Sequence, residues 1–198
     1  MSKRLLLLIV VAPAALGLIV AMILRAPAPV QSITLLDNPR PLPDTCLLTG
    51  EQQTVSANAA GKQWRLMFFG FTHCPDICPT TLQRLAKLRG DSDLLRDALR
   101  LEFVTVDPER DTPETMQQYA TYFDPSIRSL TGSTDAIAEL AEGAGIAFVK
   151  VPMDDGGYTV DHSAALVLVS PSGAIAGYIL PPWDDDQLRK DLETVVAS

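Results

Sequence analysis

Two of the three cysteines, Cys74 and Cys78, fall within one stretch, Arg65–Leu82, RLMFFGFTHCPDICPTTL. The run ahead of them, Leu66, Met67, Phe68, Phe69 and Phe71, reads as a buried strand. Pro79-Thr80-Thr81-Leu82 reads as the opening of a helix. Two thiols at a strand-to-helix corner suit redox or metal chemistry, because a helix N-terminus places partial positive charge near a thiolate and lowers its pKa. Pro79 fits the first helical position, where its missing N–H is no loss, and it biases Cys78 away from helical angles. The spacing therefore predicts a tight loop, Cys74–Cys78, packed against the helix start, with sulfurs close enough for a disulfide or one shared soft metal. A purely structural pair, free or bridged, is the alternative. The spacing is not that of a Cys-x-x-Cys redox motif, and no second cysteine pair completes a zinc site.

A third donor has to come from elsewhere in the chain. His73 adjoins Cys74, and His162 stands in the segment YTVDHSA, in a loop just before a strand. A loop histidine by itself is an ordinary hydrogen-bonded residue. Together with two thiolates it makes a soft N/S set, in which thiolates select Cu(I) and imidazole suits both copper oxidation states. Zn²⁺ accepts the same donor types, but its structural sites take four ligands. Sequence leaves open whether His162 meets the cysteines in space. Cys46, ahead of Leu47-Leu48-Thr49-Gly50, reads as a semi-buried apolar residue of an early strand.

The elements that must position these groups follow from the patterning of the 198 residues. Leu5–Leu24 is uncharged and apolar, and at about 1.5 Å per residue it is long enough to span a bilayer. Lys3 and Arg4 precede it, which keeps the N-terminus cytoplasmic and exports the remainder. A cleaved signal peptide is the competing reading, since Ala26-Pro27-Ala28 offers an A-x-A pattern. The apolar run exceeds a signal h-region, so residues 1–25 are expected as a retained transmembrane anchor. Residues 26–43, rich in proline, are expected as a linker, and 44–198 as one domain. Net charge is −8, which argues against nucleic acid as a partner.

Within the domain, helical spacing follows the corner at Leu82, Leu85, Ala86 and Arg89, with a short piece at Leu94–Leu99. Leu101–Val106 is a predicted strand, and Asp107–Pro113 a turn into a helix whose inner face carries Met116, Tyr119, Ala120 and Phe123. Arg128–Thr131 is a short strand, and Ile137, Leu140, Ala141 and Ala144 mark another helix. Ala147–Val151 is a strand ended by a turn at 154–157. Ala164–Val169 and Ala174–Leu180 form a hairpin. The chain closes in an amphipathic helix (Leu188, Leu192, Val195, Val196) with Asp184–Asp186 at its positive end. Alternating strands and helices predict an α/β domain with a mixed sheet covered by helices.

Four ordered motifs resemble the Sco/SenC family over about Thr45–Val196: FGFTHCPDICP (Phe69–Pro79), VDPERDTP (Val106–Pro113), LTGS (Leu130–Ser133) and VDHS (Val160–Ser163). The single N-terminal anchor is typical of it too. The resemblance implies a thioredoxin-like fold, with copper as cofactor bound by Cys74, Cys78 and His162, and no ligand role for His73 or Cys46. It implies a copper chaperone or redox factor for the dinuclear copper centre of cytochrome c oxidase. The partners would be a copper-donor protein and the copper-binding subunit of the oxidase. The pair Cys74/Cys78 is expected to cycle as a redox disulfide, because a reduced pair binds copper and an oxidised pair does not. Such a protein, placed in the inner membrane with its domain on the periplasmic side, is not an enzyme in the turnover sense. The other function class is a thiol–disulfide oxidoreductase working through Cys74/Cys78, which would not need His162. A thiol peroxidase is weaker, since it would want one activated cysteine in a peroxide pocket.

Overall fold

The computed structural model describes residues 30–154 and 156–197. The anchor expected over residues 1–25 lies outside them. Among the described residues, ten strands and five helices follow in the order β1 (Thr34–Pro41), β2 (Cys46–Thr49), β3 (Thr54–Ser56), β4 (Trp64–Gly70), α1 (Ile77–Gly90), α2 (Asp93–Ala98) and β5 (Leu99–Thr105). Next come α3 (Pro113–Phe123), β6 (Arg128–Thr131), α4 (Thr134–Ala144), β7 (Phe148–Pro152), β8 (Tyr158–His162), β9 (Leu166–Val169), β10 (Ala174–Ile179) and α5 (Asp185–Val196).

Eight strands form one mixed sheet in the order β1-β10-β9-β4-β5-β6-β2-β3. β4, β5 and β6 run parallel, and every other pairing is antiparallel. This is the expected mixed sheet with helices. Its middle strands carry unbroken apolar runs, because a strand covered on both faces has no polar alternate position. Every residue of β9 is buried, and so is all of β4 after Trp64. Leu82, Leu85 and Leu88 bring α1 onto the sheet, and Ile137, Leu140, Ala141 and Ala144 do the same for α4. Thr112, Ser133 and Asp184 cap α3, α4 and α5, each side chain accepting a backbone N–H. Pro113 takes an opening position of α3, as expected.

Three expectations about the strands differ from the structure. Thr34–Pro41, inside the segment read as a linker, is an edge strand paired with β10 across a register shift between Leu35 and Arg40. Pro39 and Pro41 obscured it, yet an edge strand tolerates proline because one row of its N–H groups needs no partner. Cys46 is in an early strand, but exposed. His162 is the last residue of β8, not a loop residue. β8 pairs with β7 in a separate two-stranded hairpin, Phe148 opposite His162 and Pro152 opposite Tyr158. Gly156 turns that hairpin with φ of 85°, a left-handed angle that suits glycine.

Candidate metal centre

The site is assembled at the C-terminal end of β4. Helix α1 begins at Ile77, two residues ahead of Pro79, so Cys78 sits in its first turn and not in a preceding loop. The proline still fits there, because the opening N–H groups of a helix have no intrahelical acceptor. Asp76 stands at the N-cap without a side-chain capping bond. Cys74 supplies one instead: the backbone N–H of Cys78 donates to its Sγ at 3.3 Å. The Cys74 N–H in turn donates to the Phe71 carbonyl at 3.3 Å. The sulfur positions thus follow from how the helix starts.

Cys78 is fully buried against the end of β4. A Cβ on Gly70 would lie 2.9 Å from Cys78 Sγ and 2.9 Å from Phe103 Cε2. Glycine at that position is what lets the sulfur pack onto the strand.

The third donor arrives on the hairpin. Cys78 Sγ and His162 Nε2 are 3.6 Å apart. The donor atoms of Cys74, Cys78 and His162 all lie within 4.8 Å of one another. His162 Nδ1 is 3.1 Å from the Ser163 carbonyl. A carbonyl only accepts, so the proton resides on Nδ1 and the Nε2 lone pair faces the sulfurs. Phe71 meets the imidazole edge-on at 6.0 Å and Phe68 at 6.2 Å, walling off one side.

The electrostatics differ from the expected thiolate activation. Burial, then the contact with Cys74, pushes the Cys78 thiol far above its ordinary range, against a smaller lowering by the Phe71 backbone. Burial also lowers His162 below the ordinary imidazole value, opposed by its bond to Ser163. The metal-free site therefore holds a neutral imidazole and a protonated Cys78. A thiophilic cation would have to displace that proton. All three cysteines are free thiols.

Residues given no individual role in the sequence reading hold this arrangement together. Asp111 is fully buried. It accepts from the Thr72 N–H at 3.1 Å, the Thr72 hydroxyl at 2.6 Å and the Thr105 hydroxyl at 2.7 Å. Its own carbonyl accepts from the Thr131 hydroxyl at 3.1 Å. The Asp111 carboxylate thus ties the cysteine loop to β5, and its backbone carbonyl extends the link to β6. Asp107, equally buried, accepts from the Tyr158 hydroxyl at 2.8 Å and from Arg110 Nε. Arg110 donates to the Tyr158 carbonyl at 3.1 Å and stacks on the Tyr158 ring, 3.9 Å from its centroid. Lys150 pairs with Glu109 at 2.6 Å. These contacts dock the hairpin that delivers His162. Polar residues packed into VDPERDTP, between a strand and a helix, were the available signal.

His73 stays outside the donor group, half-exposed, with Nδ1 3.1 Å from Thr72 Oγ1 and 3.9 Å from Asp111 Oδ1.

The SCO1/SenC family model matches residues 45–197. The chain belongs to the SCO1/SenC family. A candidate copper-binding protein of Stutzerimonas stutzeri is 36% identical over 166 residues, 83% of this chain and 81% of that one. The mitochondrial SCO2 homolog of Mus musculus is 43% identical over 141 residues, covering 69% of this chain but 54% of its own length. The chain thus spans only about half of this mitochondrial relative. Arabidopsis thaliana ScoI, whose crystal structure has copper bound, superposes with a TM-score of 0.69 at 30% identity, covering 81% of this chain and 98% of that chain.

Proposed function

We propose that this member of the SCO1/SenC family binds one copper ion through Cys74 Sγ, Cys78 Sγ and His162 Nε2, as a copper chaperone in cytochrome c oxidase assembly. The observation that carries the reading is the convergence of two sulfurs and an imidazole lone pair within 4.8 Å. That donor set is soft, and soft thiolates favour Cu(I). With three donors and no fourth among the described residues, the ion is cargo: an incoming thiolate of the next protein can take a coordination position while the first ligands leave. The partners in this reading are a copper-donor protein and the copper-binding subunit of the oxidase. The apolar Leu5–Leu24 segment would anchor the protein in the inner membrane, with residues beyond it on the periplasmic side.

Thiol–disulfide exchange is the gate in the same reading. Oxidation removes two protons and two electrons from Cys74 and Cys78 and requires the sulfurs to close to about 2.05 Å, which withdraws both from metal binding. Cys74, the more exposed thiol, is the one a partner thiol or disulfide can reach. The same exposure favours the second reading, an oxidoreductase acting on the cysteines of a partner, but that activity gives no use to an oriented His162 Nε2.

Anaerobic titration with Cu(I), followed by alkylation and mass mapping, separates the two. The expected result is one copper per chain on the reduced protein, none on the oxidised protein, and protection of Cys74 and Cys78 from alkylation. Cys46→Ser should leave the stoichiometry at one, and His162→Ala should weaken Cu(II) more than Cu(I). Equal Cu(I) binding by oxidised and reduced protein, or unprotected Cys74 and Cys78, would leave the oxidoreductase as the better account.

A further inference from the structure

The far end of the parallel strands carries an unexpected concentration of positive charge. Arg65 lies opposite Arg100 across β4 and β5, and Glu102 lies opposite Arg128 across β5 and β6. Residues in register share a sheet face, as do those two apart along a strand. The three guanidinium groups and one carboxylate therefore lie together on one face. Glu102 is wholly buried and sits between Arg65 at 3.4 Å and Arg128 at 3.5 Å. Arg100 donates to the neutral Gln63 side chain at 2.8 Å. One carboxylate thus faces three arginines.

A cavity of about 210 Å³ opens on this cluster. Lys62, Arg65, Arg100 and Arg128 all line it, together with Gln63 and the Ala59–Gly61 segment, and no acidic residue does. Arg65 is more than nine-tenths buried, and its Nη2 has no hydrogen-bond partner. Glu102 Oε1 in the same cluster is likewise without a hydrogen-bond partner, so it is the excess of guanidinium over carboxylate round the cavity, not one orphaned donor, that an anion from outside the fold would offset. Four cations round a single cavity, in a chain of net charge −8, do not arise from a generally basic surface.

We infer that this cavity is a binding site for a small multiply charged oxyanion of the phosphate type. Planar guanidinium forks match the oxygen spacing of such an ion, and partial burial strengthens each charged hydrogen bond. The size suits one phosphoryl or sulfate-like group and not a large organic ligand. Arg65 and the candidate metal donors lie at opposite ends of β4, about 17 Å apart at roughly 3.3 Å per residue. The anion would not reach the thiols, and the site stands independently of the copper reading.

The test is calorimetric titration of the full chain with inorganic phosphate, against sodium chloride at matched ionic strength, with thermal unfolding in parallel. Arg65 and Arg128 pair with buried Glu102, so their removal threatens folding. Arg100→Gln and Lys62→Gln leave that pairing intact and are the variants of choice. The expected result is saturable binding of one phosphate per chain and a rise in melting temperature that chloride does not reproduce. Arg100→Gln should weaken binding about tenfold or more, with Lys62→Gln weakening it less, as fits a loss of charged hydrogen bonds. Absence of saturable phosphate binding, a chloride effect of the same size, or equal binding by Arg100→Gln would overturn the proposal.

Discussion

Replacing Asp111 with alanine should loosen the cysteine loop without touching a metal donor. The carboxylate is fully buried and accepts three hydrogen bonds, from the Thr72 N–H, the Thr72 hydroxyl and the Thr105 hydroxyl. Hydrogen bonds to a charged group contribute about 1.5–3 kcal/mol each, so an upper bound is about 4.5–9 kcal/mol. The two hydroxyls can rotate to other acceptors, whereas the Thr72 amide cannot, and the alanine leaves a void. The expected loss is therefore about 3–5 kcal/mol, in the range seen when one partner of a buried charged contact is removed. Asp111→Asn keeps the volume and one carbonyl oxygen and should lose roughly half as much on the same accounting. Urea unfolding, followed by the fluorescence of Trp64 and Trp183, measures the difference, and Cu(I) affinity is read by competition with a chromophoric chelator. Thr72 is two residues from Cys74, so Asp111→Ala should weaken copper as well as the fold, and copper should restore part of the lost stability. A loss below about 1 kcal/mol, no more than the typical 0.5–1.5 kcal/mol of one neutral bond, with copper affinity unchanged, would refute the bracing role.

Other expectations rest on separate contacts. Gly70→Ala puts a methyl 2.9 Å from Cys78 Sγ and from Phe103 Cε2; overpacking of this kind costs about 1–3 kcal/mol, and the displaced sulfur should lower Cu(I) affinity by titration. Cys78 is held as a thiol by burial, so copper uptake near neutral pH should release its proton, with apparent affinity rising about tenfold per pH unit for each proton displaced; a pH-independent affinity would contradict this. His162 is lowered below 6.5 in the fold. Below that value the unfolded chain takes up a proton that the folded chain refuses, so metal-free stability falls as pH drops from 6.5 towards the folded pKa. His162→Gln should remove that acid-side loss in urea unfolding at a series of pH values.

The fold was legible wherever burial writes a period into the sequence. The apolar runs of β4, β5 and β9 and the spacing in α1, α3 and α4 appear in the structure within a few residues of where they were expected. Elements without a buried face were harder. β1 is exposed along nearly its whole length and carries prolines, so neither alternation nor composition marks it. β8 was hidden because its hairpin stands apart from the main sheet and mixes polar with apolar positions. Cys74 and Cys78 stood out as a pair because thiols are scarce in this chain, whereas His162 was chosen over His73 by the resemblance to the Sco/SenC family and not by spacing. The supporting groups were not legible, because Asp107 and Asp111 look like turn residues until tertiary contacts bury them. The Cys78 thiol went the other way from the helix-terminus argument, since local dipoles are visible in sequence and burial is not.

X-ray absorption at the copper edge tests the central claim most directly. The reduced protein, loaded anaerobically with one Cu(I) per chain, should show two sulfur donors and one imidazole nitrogen, with the nitrogen contribution lost in His162→Ala and one sulfur lost in Cys78→Ser. A spectrum with only nitrogen and oxygen donors, or one left unchanged by both substitutions, would contradict the assignment of Cys74, Cys78 and His162 as the copper site.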